Sequence, residues 1–229
     1  MVILGLEKLS LVDFEDKVCA TIFTGGCNFL CPFCHNSGIV KKELEVLDTS
    51  AILDYLKKRK GVLDAVTVSG GEPTLQPDLI PFIKQLKEMG YLVKLDTNGT
   101  NPKVLKELLD QQLIDYVAMD IKNNFSDYAP IIGLKVFNAE NVKKSLKLLH
   151  ESGIKYELRT TLVKEFISLK NVEKMAEDLK GEKILYLQKF VDSEGCFNRN
   201  LSAVSKEEAE EYRKVLETTI EKVVLRGYN

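Results

Sequence analysis

The stretch Ala65–Asp96, AVTVSGGEPTLQPDLIPFIKQLKEMGYLVKLD, decides the fold. It opens on a β-branched apolar run, Ala65–Ser69, and turns at Gly70-Gly71. Leu79, Phe82, Ile83, Leu86 and Met89 then share one helical face, after Pro77 and before a stop at Gly90. A second strand-like run, Leu92–Asp96, follows at once. Strand, helix and strand in about thirty residues make a βαβ unit, which joins two parallel strands.

The same alternation extends in both directions. Further strand-like runs are Val18–Phe23, Tyr116–Ile121, Tyr156–Val163 and Ile184–Phe190. Val142, Leu146 and Leu149 form a helical stripe between Asn138 and Gly153, and Leu169, Val172, Met175, Ala176 and Leu179 form another before Gly181. Ser205 and Glu208 make a capping box for a last helix, predicted to run through Ala209, Tyr212, Leu216, Ile220 and Val223 towards Gly227. These stripes are core positions. Six βα units fall short of the eight of a closed barrel, which takes about 250 residues. The expected fold is therefore α/β, an open partial (β/α)6 barrel. A single domain over residues 1–229 is expected, with an N-terminal extension (1–16), a barrel core (17–190) and a C-terminal loop and helix (191–229).

Composition narrows the function. The chain has 229 residues, 45% of them hydrophobic and 29% charged, which suits a soluble domain with a substantial core. A net charge of -2 leaves no basic stripe to displace phosphate counterions, so no nucleic-acid partner is expected. The opening run is broken by Glu7 and Lys8, and no stretch is long enough to span a membrane. Five cysteines, three of them clustered, fit a reducing cytoplasm better than a disulfide framework.

Those three are Cys27, Cys31 and Cys34 in TGGCNFLCPFCHN, on the loop after the first predicted strand. An iron–sulfur cube normally takes four thiolates, so three would leave one iron open to a non-protein ligand. A zinc site of Cys27, Cys31, Cys34 and His35 is the competing reading, although adjacent ligands strain a tetrahedron. A disulfide would use two thiols and strand the third.

Polar or glycine residues also end the other predicted strands: Gly70-Gly71-Glu72, Asp96-Thr97-Asn98-Gly99, Met119-Asp120-Ile121-Lys122, Arg159-Thr160-Thr161 and Gln188-Lys189. Taken singly each has an ordinary explanation: a strand-to-helix turn, an Asn-Gly turn, a surface ion pair. Together they occupy the ends that face the active site of a parallel barrel.

The cysteine spacing, with Phe33 before the last cysteine, resembles the signature of the radical S-adenosylmethionine (SAM) superfamily. In order, CPFCHN, SGGEPTLQ, VKLDTNGT and DYVAMDIK resemble the glycyl-radical-enzyme activating enzymes, in the longer form similar to pyruvate formate-lyase activase, and nearest among them the activases of anaerobic ribonucleoside-triphosphate reductase. The resemblance covers roughly residues 18–190.

It implies that Cys27, Cys31 and Cys34 hold one [4Fe-4S] cluster whose open iron binds SAM, with Phe33 and His35 beside the adenine. Gly70, Gly71 and Glu72 would take the methionyl end. Asp96, Thr97 and Met119 match positions that hold a monovalent cation, and Asn98 belongs to the same cofactor-binding stretch. Arg159 would meet the SAM carboxylate, and Asp120 and Lys122 match a D-x-K pair near the bound glycyl loop. The implied reaction is reductive cleavage of SAM to a 5′-deoxyadenosyl radical, which removes hydrogen from a glycine Cα of a partner. Anaerobic ribonucleotide reductase is the expected partner and a flavodoxin or ferredoxin the expected reductant.

Three alternatives stay open: activation of pyruvate formate-lyase or another glycyl radical enzyme, a small-molecule or peptide substrate, and a nonenzymatic metal-binding module. Glu43–Ala65 contains no cysteine, so a single cluster is expected. Cys19 reads as a buried small hydrophobe, and Cys196 as a loop cysteine or a thiol near the active mouth.

Overall fold

The computed structural model describes residues 1–228. Among them are eight strands: β1 (Ile3–Ser10), β2 (Cys19–Thr24), β3 (Ala65–Gly70), β4 (Leu92–Thr97), β5 (Tyr116–Asp120), β6 (Lys155–Leu162), β7 (Ile184–Lys189) and β8 (Lys222–Arg226). They hydrogen-bond in chain order into one open, mostly parallel sheet. β1 runs antiparallel to β2, whereas β2–β3, β3–β4, β6–β7 and β7–β8 are parallel. The helices are α1 (Ser37–Lys41), α2 (Thr49–Arg59), α3 (Leu79–Glu88), α4 (Pro102–Asp110), α5 (Tyr128–Ile131), α6 (Glu140–Ser152), α7 (Leu169–Asp178) and α8 (Lys206–Leu216).

The six strands expected from the sequence are β2 to β7. Two elements differ from expectation at the chain's ends. The N-terminal segment, expected as an extension, supplies β1, with Ile3 and Leu4 buried. Its exposed Leu9, Leu11 and Val12 obscure the alternation that would have marked it as a strand. At the other end α8 stops at Leu216, and Val223, expected on the helix, lies in β8. Thr218 and Thr219 explain the stop. Their hydroxyls donate to backbone carbonyls, Thr218 to Val215 at 2.6 Å and Thr219 to Ala176 at 2.7 Å, offering the chain an alternative to the next helical turn. The capping box at the start of α8 is present, with Ser205 and Glu208 exchanging bonds of 3.1 Å.

The chain forms two compact units. The first comprises Met1–Asn28, Gly38–Ala118 and Asn141–Tyr156; the second comprises Phe29–Ser37, Met119–Glu140 and the chain from Glu157 onward. In the first, Ile22, Val66, Val68, Val93 and Leu95 are fully buried, because parallel strands covered on both faces need apolar side chains in both directions. The predicted face of α3 is buried through Leu79, Phe82, Ile83 and Leu86. Cys19 packs with Phe14 and Ala65, as a small hydrophobe would. In the second unit β7 contributes Leu185 and Leu187, and α7 contributes Val172 and Met175, all fully buried.

What fixes the loops after β2 and β3 is a backbone crossing. The Gly71 N–H donates to the Thr24 carbonyl at 2.8 Å and the Glu72 N–H to the Gly26 carbonyl at 2.9 Å. A Cβ on Gly71 would collide with the Gly26 carbonyl. The glycine pair was expected to make room for a ligand, and at Gly71 the missing Cβ is required by the chain's own backbone. Gly71→Ala should therefore destabilise by about 3 kcal/mol, the upper end of overpacking costs. Gly61, at φ +90° with open space around its missing Cβ, is the control. Gly61→Ala should cost only about 1–2 kcal/mol of left-handed strain, and urea denaturation of both variants separates crowding from strain.

Candidate active site

In the first unit the loops following β2, β3 and β4 are joined through Glu72. Its carboxylate is wholly buried. Oε1 accepts from the Thr74 N–H (3.1 Å), the Thr74 hydroxyl (2.5 Å) and the Thr97 hydroxyl (2.8 Å), while Oε2 accepts from the Asn98 N–H at 2.6 Å. Burial pushes the Glu72 pKa up, and these four donors work against it. Glu72 was expected, with Gly70 and Gly71, to take the methionyl end of SAM. The structure places it inside the loop junction, where it ties the end of β3 to the end of β4.

Thr97 is equally committed, since its hydroxyl also accepts from the Gly99 N–H at 3.1 Å. Asp96 lies 3.7 Å from Lys94 Nζ, and that ammonium donates to the Asp13 carbonyl at 2.5 Å. Asn98 turns its side-chain nitrogen towards Cys27, 3.9 Å from Sγ, and donates to Asn28 Oδ1 at 2.8 Å.

The second unit carries Cys31, Phe33, Cys34 and His35, together with Met119, Asp120, Lys122 and Arg159. Asp120 ends β5 and Arg159 lies in β6. The Arg159 Nε donates to Asp120 Oδ1 at 3.0 Å, and the Lys122 ammonium donates to Oδ2 at 2.9 Å. Burial would raise the Asp120 pKa, yet the two cations outweigh it and hold the carboxyl at about 2. Burial alone would lower the Lys122 pKa, but Asp120 and Cys31 reverse the sign and hold the ammonium charged.

Lys122 lies 5.8 Å from the centre of the Phe33 ring, a cation–π distance, and Phe33 itself is buried. Tyr128 locks the strand end: its hydroxyl accepts from the Lys122 N–H at 3.0 Å and donates to the Asp120 carbonyl at 3.4 Å. Burial pushes the Tyr128 hydroxyl pKa up, so it stays protonated. Met119 is fully buried.

The loop after β7 braces the cysteine segment of this unit. The Asn198 N–H donates to the Pro32 carbonyl at 2.8 Å and the Ser37 N–H to the Gly195 carbonyl at 3.2 Å. Ser193 Oγ meets His35 Nδ1 at 3.3 Å, and the Cys196 thiol donates to the Phe33 carbonyl at 3.6 Å. Cys196, ambiguous in the sequence, is a buried member of this brace. Burial pushes the Cys34 thiol pKa up, opposed by the Asn36 backbone N–H and the Lys122 ammonium.

These features coincide with a family signature: the model of the radical SAM superfamily matches residues 21–180. The chain belongs to the radical SAM superfamily. Within it the chain groups with the glycyl-radical enzyme activating enzymes. It is 34% identical, over 98% of its length and 95% of the relative's, to a Methanocaldococcus jannaschii protein assigned as a glycyl-radical enzyme activating enzyme. It is 31% identical to the pyruvate formate-lyase-activating enzyme of Clostridium pasteurianum, over 77% of this chain and 75% of that one. The fold matches Streptococcus suis SuiB bound to precursor peptide SuiA at a TM-score of 0.72, with 14% identity, over 90% of this chain and 48% of that one.

The radical SAM family implies a [4Fe-4S] cluster and SAM; thiols are the donors such a cluster takes, and among the described residues no three His, Cys, Asp or Glu side chains are already gathered as a metal site. None of the five cysteines is in a disulfide. A side-chain N–H faces Cys27, while a backbone N–H and the Lys122 ammonium favour the thiolate of Cys34.

Sequence reasoning missed Asn28, Thr100 and Tyr128. The first two adjoin recognised motifs and could have been found by asking which polar groups reach the first cysteine. Tyr128 follows the D-x-K pair by six residues and carries no local signal.

Asp120 gives the site a pH signature. Its pKa is lower folded than the 3.8 of the free carboxyl, so its stabilisation is complete above about pH 4 and is lost as pH falls towards 2. Asp120→Asn should cost on the order of 3 kcal/mol at pH 7, because two largely buried cations lose their counter-charge. Urea melts from pH 7 downwards should show the gap to wild type constant above pH 4 and closing below it.

Proposed function

We propose that this chain activates anaerobic ribonucleoside-triphosphate reductase by generating its glycyl radical. The observation that carries the reading is the ordered set of strand-end groups: the cysteine loop after β2, the Gly-Gly-Glu turn after β3, Asp96–Asn98 at β4 and Asp120–Lys122 at β5. When bound, the cluster and SAM supply, with one electron from a flavodoxin or ferredoxin, a 5′-deoxyadenosyl radical that takes one hydrogen atom from a glycine Cα, leaving methionine and 5′-deoxyadenosine.

This chain's residues have the remaining tasks. Cys27, Cys31 and Cys34 would hold the cluster. Gly70 and Gly71 would present backbone to the methionyl end of SAM, and Glu72 would hold that turn in place. Phe33 and His35 would flank the adenine, and the Arg159 guanidinium would meet the carboxylate. Asp120 fixes the Lys122 ammonium beside the cysteine loop, where it would balance thiolate charge and meet the incoming glycyl segment. Asp96, Thr97 and Met119 would supply oxygen and sulfur to a monovalent cation. Pyruvate formate-lyase is the second candidate partner, favoured by the similarity to the clostridial activating enzyme.

The test is anaerobic reconstitution with iron and sulfide, followed by reduction and addition of SAM with each candidate partner from the same organism. A glycyl doublet by electron paramagnetic resonance, together with 5′-deoxyadenosine, is expected with the reductase. A doublet only with pyruvate formate-lyase would reassign the partner. Nucleoside without either doublet would point to a small molecule or peptide. Cys31→Ala should abolish 5′-deoxyadenosine formation altogether.

A further inference from the structure

The Asn98 side chain is brought to Cys27 in a fixed orientation, beside Asn28, whose Oδ1 lies 4.0 Å from the same sulfur. A carboxamide can usually be turned over, exchanging its oxygen and nitrogen, but here the neighbours forbid it. Oδ1 accepts twice from Thr100, from its N–H at 3.0 Å and its hydroxyl at 2.7 Å. Both of those groups donate towards Asn98, so the NH2 must face the other way. There it finds two acceptors, Asn28 Oδ1 at 2.8 Å and Cys27 Sγ at 3.9 Å. Asn28 closes the ring by donating to Thr100 Oγ1 at 2.9 Å. The backbone of Asn98 is anchored independently by the buried Glu72 carboxylate at 2.6 Å. A turn-forming Asn before Gly99 would need none of this.

We propose that Asn98 is a positioning residue for Cys27, and that its carboxamide N–H raises the reduction potential of the cluster Cys27 would ligate. The inference rests on the reading of Cys27 as a cluster ligand and adds what sets that ligand's electronics. Reduction adds negative charge to the cluster and its sulfurs. An N–H aimed at a ligand sulfur therefore stabilises the reduced form more than the oxidised one. Asn98 thus acts through Cys27, whereas its place in the motif had suggested direct contact with SAM.

The measurement is the midpoint potential of the reconstituted cluster, followed by electron paramagnetic resonance during a reductive titration without SAM or partner. Asn98→Ala should weaken reduction about tenfold, a drop of about 59 mV for one electron, with iron content close to wild type. Thr100→Val keeps the carboxamide but removes one of the two donors that orient it, and should lower the potential by a smaller amount. An unchanged potential in Asn98→Ala overturns the inference. Should that variant fail to load its cluster, an unchanged potential in Thr100→Val overturns it instead. A wild-type chain that assembles no reducible cluster would defeat the cysteine-ligand reading, and this inference with it. A wild-type cluster whose potential neither variant moves would defeat the inference alone.

Discussion

The loop architecture of the first unit depends on one buried carboxylate. Glu72 receives four hydrogen bonds from groups that follow two different strands, and its own N–H is held by the Gly26 carbonyl. Removing it would orphan an N–H and a hydroxyl from each of two loops, at roughly 1–3 kcal/mol per buried group. The crossing of Gly71 over Gly26 permits this arrangement, because it brings the loops after β2 and β3 within backbone hydrogen-bonding distance. Cys27 follows Gly26 directly, so the geometry of the first cysteine is tied to a glutamate in the loop after the next strand.

The second unit solves the same problem with different chemistry. Asp120 is compensated by two full cations, Glu72 by neutral N–H and O–H dipoles. The consequence is opposite in sign: the Asp120 pKa falls to about 2, while that of Glu72 rises. Charge pairing leaves Asp120 ionised in any ordinary buffer and holds Arg159 and Lys122 at a spacing set by one carboxylate group. Dipole pairing instead fixes backbone. Each device matches its place, Glu72 in a loop junction and Asp120 between two cationic side chains.

Much of this was legible in the sequence because it is local. The strands β2 to β7 announce themselves through β-branched runs, and the helices through apolar spacing and caps such as Ser205 with Glu208. The cysteine, Gly-Gly-Glu and Asp-Thr-Asn-Gly motifs are contiguous. What escaped is what depends on partners distant along the chain. β1 and β8 carry weak patterns, and β8 followed a helical stripe that Thr218 and Thr219 interrupt. The inward turn of Glu72 could not be read from GGE, since its donors Thr97 and Asn98 lie some 25 residues on, beyond a helix. The brace from Ser193 to Asn198 is invisible for the same reason, its targets lying about 160 residues earlier.

The antiparallel β1 bears on how copies of this chain meet one another. Without it, β2 would present a nearly fully buried parallel strand as an edge, with its N–H and C=O groups open to any extended segment. β1 occupies that position and makes a poor template itself. Its pairing with β2 shifts register twice, between Ile3 and Gly5 and between Glu7 and Ser10, and irregular edges discourage further strand addition. The Ile3 carbonyl is already taken by the Leu47 N–H at 2.8 Å, and the Lys8 carbonyl by the Tyr55 hydroxyl at 2.9 Å. The first strand is therefore a guard against self-association, keeping one flank of the sheet closed to strand exchange.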